Sequence, residues 1–256
     1  MLTTEERNAR ILAALQQKMP GVTNFSHDIG LPTRPVGHGS GIETSTKIVR
    51  GYRRLHRPES FNVEPQEVID VLQRAGIRRW VLMGLYGYVG YLASPRATQD
   101  VDILVGEDEL EAVVAGILQR WPGLVVDRQP VVVRFRDPGE VAIDGEMKQV
   151  IDVMLPSNGC YEAILQKYHV VDPVTGHRIP TIEAACASKF AALVSPYREW
   201  EKKAYDAGDL RSIMLPNHAT LDRELLRQLG DVVYLAGGTE LLEFLQLAID
   251  KKPFPV

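Results

Sequence analysis

Short, almost wholly apolar runs in the middle of the chain predict buried strands, and they constrain the fold more than any other feature of the sequence. The runs are 80–83, 101–105, 124–126, 131–133 and 150–155, and 168–171 is expected to add an edge strand. Short apolar runs bounded by turn residues are typical of strands within a sheet. Helical patterns are predicted beside them, from Pro65 to Gly76 and over 84–92 and 108–121.

From Thr181 onward the apolar spacing is helical. Helices are predicted over 182–194, 198–214, 220–229 and 238–249. A strand-rich part followed by an all-helical tail is typical of the α+β class. We therefore predict a mixed β-sheet catalytic domain over 65–175 and a helical C-terminal domain over 176–256, with the boundary near 173–180.

The N-terminal region, residues 1–64, has a different pattern. A capping-box spacing at its start precedes an apolar period that predicts a helix over 4–18. Residues 20–46 are rich in Gly, Pro, Ser and Thr and show no period, which predicts a long loop. A short segment over 48–57 interleaves basic and aromatic residues.

Composition excludes several classes of protein. Of the 256 residues, 45% are hydrophobic, which excludes a disordered chain. The 29 basic and 33 acidic side chains give a net charge of −4, whereas a protein that binds nucleic acid over a broad surface is usually strongly basic. The two cysteines, Cys160 and Cys186, are too few for a disulfide framework. The polar, acidic start and the lack of an apolar run of roughly 20 residues predict a cytoplasmic protein with no membrane partner.

Two carboxylates stand at the start of the predicted strand 101–105. Asp100 and Asp102 are two residues apart, so their side chains project from the same face of the strand, roughly 6.5–7 Å apart. Like charges this close repel each other unless a cation lies between them or one carboxylate is protonated. Mg²⁺ prefers oxygen ligands and commonly takes one or two carboxylates together with substrate phosphates. The pair therefore predicts a metal site.

Asp152 stands in a similar setting, alone within the apolar run 150–155. A buried carboxylate without a partner is costly, so this residue also needs a cation or a donor. If the two strands are neighbours, Asp100, Asp102 and Asp152 can hold two metal ions around a triphosphate, with Mg²⁺ expected and Mn²⁺ as the alternative. A simpler interpretation stays open, because most Asp-x-Asp pairs are caps or solvated strand ends.

Residues upstream of the acids favour the metal interpretation. The glycines that directly follow the first predicted strand are Gly84, Gly87 and Gly90. Glycines in that place let backbone amides approach a phosphate at a helix N-terminus. Arg96 and Thr98 lie between these glycines and Asp100.

The segment from residue 81 to residue 105 resembles the signature of the nucleotidyltransferase superfamily. The matching residues are Val81-Leu82-Met83-Gly84 and Pro95-Arg96-Ala97-Thr98-Gln99-Asp100-Val101-Asp102-Ile103-Leu104-Val105. The segment is most similar to AbiEii-like bacterial nucleotidyltransferases, in which a glycine-rich turn and a helix precede Pro-Arg-x-Thr-x-Asp-hydrophobic-Asp. The resemblance implies that Asp152 is the third acid of the metal site. It also implies that the nucleotide is bound by Gly84, Leu85, Arg96 and Thr98.

The resemblance continues more weakly into the helical tail and covers roughly residues 77–215 in all. The family has a lysine-bearing helix, matched by Ala187-Ser188-Lys189-Phe190, and a basic helix ending in Asp-x-x-Asp, matched by residues 201–210. This likeness implies that Lys189 contacts the triphosphate and that Asp209, with Asp206, orients the triphosphate or the acceptor. An amphipathic helix with solvated charges explains the same residues equally well.

By this resemblance the chain moves a nucleoside monophosphate from a nucleoside triphosphate to an acceptor such as tRNA, in a toxin–antitoxin or phage-defence setting with a cognate antitoxin protein. Two alternatives stay open. The acceptor could be a small molecule such as an antibiotic, because an acidic protein suits a cationic substrate. The chain could also be a degenerate, nucleotide-binding regulatory protein, because Leu85 and Tyr86 follow Gly84 where the family has Gly or Ser.

A basic cluster in the N-terminal region predicts a surface for RNA. Its residues are Arg50, Arg53, Arg54 and Arg57, interleaved with Tyr52 and His56. Arginine binds the phosphate backbone, and an aromatic ring can stack on a base. A solvated helix face explains the same residues at least as well.

Overall fold

The structure is a computed structural model that describes residues 3–16, 37–94, 96–141 and 145–255. The strands of its main sheet are β1 (Trp80–Leu82), β2 (Val101–Val105), β3 (Val125–Gln129), β4 (Val132–Val141) and β5 (Met147–Met154). They lie in the order β1-β2-β5-β4-β3, with β2 parallel to β5 and the other neighbours antiparallel. A second sheet pairs β6 (His169–Val171) with β7 (Arg178–Pro180).

Helices precede, connect and follow these strands. Those before and between the strands are α1 (Thr4–Gln16), α2 (His38–His56), α3 (Pro65–Arg74), α4 (Gly84–Tyr88), α5 (Leu110–Arg120) and α6 (Gly159–Gln166). Those of the C-terminal part are α7 (Ile182–Val194), α8 (Trp200–Asn217), α9 (Arg223–Val233) and α10 (Gly237–Ile249). Short 3₁₀ turns follow α4 at Val89–Tyr91 and precede α5 at Glu107–Glu109. No helix among the described residues is long and apolar enough to cross a membrane.

Two apolar cores lie on opposite faces of the main sheet. Because side chains alternate along a strand, Ile103 of β2 packs with α3 and α5, whereas Leu104 packs with α6 to α10. Asp102 shares the face of Leu104, so this acid is turned toward the C-terminal helices. The first helix also packs on that side, where buried Arg7 forms an ion pair with Glu240 of α10.

The predicted α+β class, with a mixed sheet and a helical C-terminal part, is confirmed. The strand predicted over 168–171 pairs with β7 and belongs to the second sheet, so its prediction as an edge of the main sheet is wrong. Sequence patterns missed α6 and the three-residue β7, which are too short for a clear period. The pairing of β6 with β7 spans the predicted boundary near 173–180, and the domain boundaries stay predictions.

The loop predicted over 20–46 is wrong for residues 38–46, which form the first half of α2. The basic segment is the second half of the same helix. The apolar period is hidden because α2 packs through small residues: Gly41 lies against the 3₁₀ turn after α4, and Ser45 is fully buried. The earlier part of the predicted loop, up to residue 36, lies outside the described residues.

Two buried histidines anchor the start of α2. Nε2 of His38 lies 3.1 Å from Nδ1 of His177, whose Nε2 lies 2.9 Å from Oε1 of Gln66. Since an amide oxygen only accepts, His177 donates to Gln66 and accepts from His38. Nδ1 of His38 is then unprotonated, buried and without a hydrogen-bond partner. Burial lowers the pKa of both rings, that of His38 to about 4.

Mild acid is expected to destabilise the protein at this contact. A histidine whose folded-state pKa lies below its unfolded value binds more protons when unfolded, so stability falls as the pH drops below about 6.5 and keeps falling toward pH 4. With a pKa of 6.5 in the unfolded chain and about 4 in the fold, His38 should lower the free energy of unfolding by about 2 kcal/mol between pH 7 and pH 5. Urea unfolding of the wild type and of His38→Gln at both pH values measures this contribution as a difference, because the raised pKa values of Asp102 and Asp152 act in the opposite direction over the same pH range in both proteins. Lowering the pH should therefore cost the wild type more stability than His38→Gln, whereas His56→Gln, an exposed position of α2, should follow the wild type. Equal changes in His38→Gln and His56→Gln would count against the contact.

Candidate active site

β2 and β5 bring two of the predicted metal ligands together. Asp102 and Asp152 are direct partners in the parallel register, and neighbouring strands lie about 4.8 Å apart. Arg134 of β4 is the next residue in the same row, opposite Asp152. Residues in one row of a sheet project from the same face, so this face carries two acids and a base side by side.

Asp100 lies in the loop that leads into β2. Its Oδ1 accepts a hydrogen bond from the hydroxyl of Thr98, so these two predicted site residues are in contact. The backbone of the loop is held as well. The carbonyl of Thr98 accepts from the hydroxyl of Tyr86 at 3.2 Å, and that of Gln99 accepts from the guanidinium of Arg53 at 3.0 Å.

Gly84 packs directly against the carboxylate of Asp102. A Cβ atom on Gly84 would lie 1.8 Å from Oδ2 of Asp102, and the φ angle of Gly84 is +56°. Glycine is required here on both grounds. One turn later, a Cβ on Gly87 would lie 2.4 Å from the carbonyl oxygen of Leu82. These two glycines allow α4 to lie against the ends of β1 and β2.

Burial and mutual repulsion disfavour the ionised form of the acids on this face. Burial raises the pKa of Asp102 well above its usual range, and the charges of Asp100 and Asp152 raise it further. Burial also raises the pKa of Asp152 to about 7, although Arg134, 3.9 Å away, opposes the shift. Oδ1 of Asp152 is buried and has no hydrogen-bond partner. These observations fit carboxylates that share a bound cation.

The side chains of the three acids do not surround such an ion in this structure. In the described ranges, no three His, Cys, Asp or Glu side chains are arranged to hold a metal. The backbone register permits a bridging ion between Asp102 and Asp152, since Mg²⁺ bonds each oxygen at roughly 2.0–2.1 Å. Asp100 is engaged by Thr98 instead. The metal site therefore stays a prediction.

Asp102 and Asp152 line a cleft of about 490 Å³ between the main sheet and helices α6 to α8. Its charged lining residues are Asp102, Arg134, Asp152, Lys189, Arg198 and Asp206. Its uncharged lining includes Val131, Met154, Leu155, Asn158, Ala191 and Tyr197. Small-molecule sites typically occupy about 300–1,000 Å³ and combine apolar walls with a few polar groups, so this cleft has the size and lining of such a site.

Lys189 of α7 joins two acids of α8. Its Nζ lies 3.0 Å from Oδ1 of Asp206 and 2.9 Å from Oδ2 of Asp209. Burial alone would lower the pKa of Lys189, but the two carboxylates raise it above its usual value, so the ammonium stays charged. Arg198 is paired with Asp206 at 2.8 Å, and Arg96 is paired with Asp209. The predicted residues Arg96, Lys189 and Asp209 thus belong to one ion-pair network.

This network limits what three predicted residues can contact. Lys189 lines the cleft, whereas Arg96 and Asp209 do not. Asp209 also accepts a hydrogen bond from the hydroxyl of Tyr88 at 2.6 Å. Its carboxylate is therefore held by three donors, which are Tyr88, Arg96 and Lys189.

The side chain of Leu85 is buried in the apolar core, which leaves only its backbone amide to contact a nucleotide.

The four arginines of the basic cluster differ in their surroundings. Arg53 has 3% of its surface exposed and faces the loop before β2. Arg50 is exposed but paired with Glu64 at 2.6 Å, and Arg54 and Arg57 are exposed. The RNA-binding role of the cluster stays a prediction, and any such surface on α2 would not include Arg53.

Local residue patterns do not identify the two arginines of the cleft, Arg134 and Arg198. Arg134 directly follows the apolar run 131–133, and a lone charge at such a run is a signal of the same kind as Asp152. Its meaning depends on the pairing of β4 with β5, which residue patterns do not provide. Arg198 lies in the loop before α8, where the predicted helix began too early.

No protein-family model matches the sequence, and no similar curated protein is found. Among solved structures, an antigenic nucleotidyltransferase-like protein from Paracoccidioides brasiliensis is similar at 12% identity and a TM-score of 0.41, covering 87% of this chain and 97% of that chain. JHP933 from Helicobacter pylori is similar at 17% identity and a TM-score of 0.39, covering 73% and 91%. Terminal uridylyl transferase 4 from Trypanosoma brucei with bound GTP is similar at 15% identity and a TM-score of 0.30, covering 81% and 72%. At these identities and TM-scores, none of the three structures shows what this protein does.

Proposed function

We propose that this protein is a nucleotidyltransferase, which binds a nucleoside triphosphate and a divalent metal ion in the cleft and transfers a nucleoside monophosphate to an acceptor. The observation that carries the proposal is the row formed by Asp102, Asp152 and Arg134 on adjacent strands at the cleft wall. Lys189 and Arg198 line the same cleft. Acids that need a cation and cations suited to phosphate oxygens therefore share one cavity.

In this reaction a hydroxyl oxygen of the acceptor attacks the α-phosphorus of the nucleotide. The bond from that phosphorus to the oxygen bridging to the β-phosphate breaks, and its electron pair leaves with pyrophosphate. The hydroxyl proton passes to a carboxylate of the row or to water. The positive charges of Arg134, Lys189 and Arg198 offset the charge of the phosphates, because phosphoryl chemistry depends mainly on positioning and charge neutralisation.

Asp100, Asp102 and Asp152 are the residues that would hold the metal, as one ion or two, with Mg²⁺ expected and Mn²⁺ as the alternative. A bound ion would supply charge neutralisation and would lower the pKa of the attacking hydroxyl. The unpartnered Oδ1 of Asp152 and the raised pKa values of Asp102 and Asp152 support this donor set. Gly84 supports it too, since any side chain there would displace the carboxylate of Asp102.

We place the nucleobase against the uncharged lining of the cleft. Tyr197 lines the cleft and has 77% of its surface exposed, so its ring is free to stack on a base. Asn158 also lines the cleft, and its Oδ1 accepts from the backbone N–H of Tyr161 at 3.1 Å. The side-chain amide nitrogen of Asn158 is thus a donor available to a base or ribose.

For the acceptor we propose an RNA end, with tRNA as the expectation from the sequence resemblance. Arg54 is exposed on α2, Arg57 is exposed directly after α2, and Trp200 is exposed two residues after the cleft residue Arg198. Exposed arginines bind phosphates, and exposed aromatic rings stack on unpaired bases. The toxin–antitoxin or phage-defence setting and the cognate antitoxin rest on the sequence resemblance alone.

The test is transfer of α-³²P label from each of the four nucleoside triphosphates to bulk RNA in the presence of Mg²⁺. We expect label with the wild-type protein and a loss of roughly a hundredfold or more in Asp152→Asn, because the variant loses a negatively charged ligand of the proposed metal ion. Asp70→Asn, an exposed position on α3, is the matched control and should transfer normally. EDTA should abolish transfer, and Mn²⁺ should restore it.

Each alternative has its own outcome in this assay. Label that enters a small molecule or a protein, and not RNA, would keep the chemistry and change the acceptor class. A protein that binds nucleotide but transfers label to none of these acceptors would sink the proposal in favour of a nucleotide-binding regulatory protein.

A further inference from the structure

The loop that carries Asp100 is held by two side chains that take no part in the proposed reaction. Tyr86 of α4 donates to the carbonyl of Thr98 at 3.2 Å, and Nη2 of Arg53 donates to the carbonyl of Gln99 at 3.0 Å. The hydroxyl of Thr98 then donates to Asp100. The two peptide carbonyls immediately before a predicted metal ligand are therefore fixed from α2 and from α4.

Arg53 occupies this place at a high energetic cost. Only 3% of its surface is exposed, and its Nε and Nη1 are buried without a hydrogen-bond partner. In the described part of the chain it forms no ion pair with a carboxylate. An arginine is rarely buried in this way unless it is paired. An apolar side chain would fill the same space without that cost, so the bond to Gln99 is the interaction that explains an arginine here.

Arg53 and Asp100 both lie close to Tyr86. Burial raises the pKa of the Tyr86 hydroxyl, and the charges of Asp100 and Arg53 both act on it, in opposite directions. The second half of α2 thus packs against the loop of the metal site, although the helix lies more than 40 residues earlier in the chain.

We propose that Arg53 and Tyr86 are positioning residues, which hold the carbonyls of Gln99 and Thr98 so that Asp100 can bind a divalent cation together with Asp102. This inference rests on the proposed function for the identity of the ligand. By this inference α2 contributes no metal ligand, but its residue Arg53 determines the position of one, Asp100.

Mn²⁺ binding measures this role without any turnover, by the loss of the electron paramagnetic resonance signal of the free ion. In Arg53→Met we expect the dissociation constant for Mn²⁺ to rise by roughly tenfold or more, within the range known for groups that orient metal ligands. Removal of a nearby positive charge would by itself strengthen cation binding. Weaker binding therefore identifies lost positioning, and Arg53→Lys, which keeps a charge and a donor, should recover part of the affinity.

Two further variants complete the experiment. Tyr86→Phe removes one hydroxyl and should also weaken Mn²⁺ binding, by a smaller factor. Arg223→Met, the same substitution at an exposed position of α9, should bind Mn²⁺ as the wild type does. If Arg53→Met melts far below the wild type, its weaker Mn²⁺ binding could reflect a damaged fold. The Mn²⁺ affinity of Tyr86→Phe then tests the inference.

The outcomes separate this inference from the proposed function. Equal or tighter Mn²⁺ binding in both Arg53→Met and Tyr86→Phe would overturn it, as would a wild-type protein that binds no Mn²⁺. A wild-type protein that binds Mn²⁺ and loses affinity in these variants, but transfers no nucleotide, would support the positioning role and remove the proposed reaction.

Discussion

Asp102→Asn is expected to abolish nucleotide transfer and, at the same time, to make the metal-free protein more stable. The transfer rate should fall by roughly a thousandfold, because the charge of this carboxylate is needed to hold the metal. The same charge is unfavourable for folding, since burial, followed by Asp100 and Asp152, raises the pKa of Asp102 above its value in the unfolded chain. A carboxyl group of this kind takes up protons on folding, so its cost is present at neutral pH and disappears as the pH falls below its usual pKa.

Thermal unfolding in EDTA and in Mg²⁺ measures the stability effects. In EDTA at pH 7 the variant should melt above the wild type. Added Mg²⁺ should raise the melting temperature of the wild type and leave the variant unchanged, because a ligand stabilises only the protein that binds it. Asp108→Asn, in the exposed turn after β2, should behave as the wild type in both conditions. A variant that melts below the wild type in EDTA, or that still responds to Mg²⁺, would contradict the metal site.

Gly84→Ala is expected to remove most of the activity at a small cost in stability. An L-residue at a φ of +56° costs about 1–2 kcal/mol of backbone strain. The new methyl group would also meet Oδ2 of Asp102 at 1.8 Å, so the carboxylate has to move. Displacing a group at a reactive site by about 1 Å can lower the rate roughly a hundredfold, and the label-transfer assay measures this loss.

The matched control for this variant is Gly76→Ala. Gly76 follows α3 with a φ of +72°, and a Cβ there would meet no atom within 4 Å. Both variants therefore carry a similar backbone strain, and urea unfolding should show a loss of stability in Gly84→Ala at least as large as in Gly76→Ala, because only Gly84→Ala also displaces Asp102. Loss of transfer in Gly84→Ala alone is the expected result. Equal transfer by the two variants would show that the position of the Asp102 carboxylate does not control the reaction.

The strands and the acids could be predicted from sequence because they depend on local patterns. Asp102 and Asp152 each stand inside a short apolar run, and a charge in such a run needs a partner whatever the topology. A close approach to Gly84 could be expected, since glycine after a strand permits one, although the predicted partner is a phosphate. The partner that approaches Gly84, a carboxylate of the same site, could not.

The rest depends on interactions between segments far apart in the chain. The row of Asp102, Asp152 and Arg134 follows from the registers of β2, β5 and β4, which no local pattern contains. The first half of α2 has no apolar period because its packing face uses small residues such as Gly41 and Ser45. The same helix buries Arg53, a residue type that sequence reasoning assigns to the surface.

The parallel pairing of β2 with β5 has a consequence for the order in which the protein can mature during its synthesis. A nascent chain that has just exposed Asp102 already contains β1 but lacks β5, and it also lacks Lys189 and Arg198, which emerge roughly 90–100 residues later. At about 5–20 residues per second, the ribosome needs on the order of 5–20 s to close this gap. During that interval the chain has no cleft in which to hold a nucleotide, so the proposed activity can arise only after α7 and the start of α8 have been made.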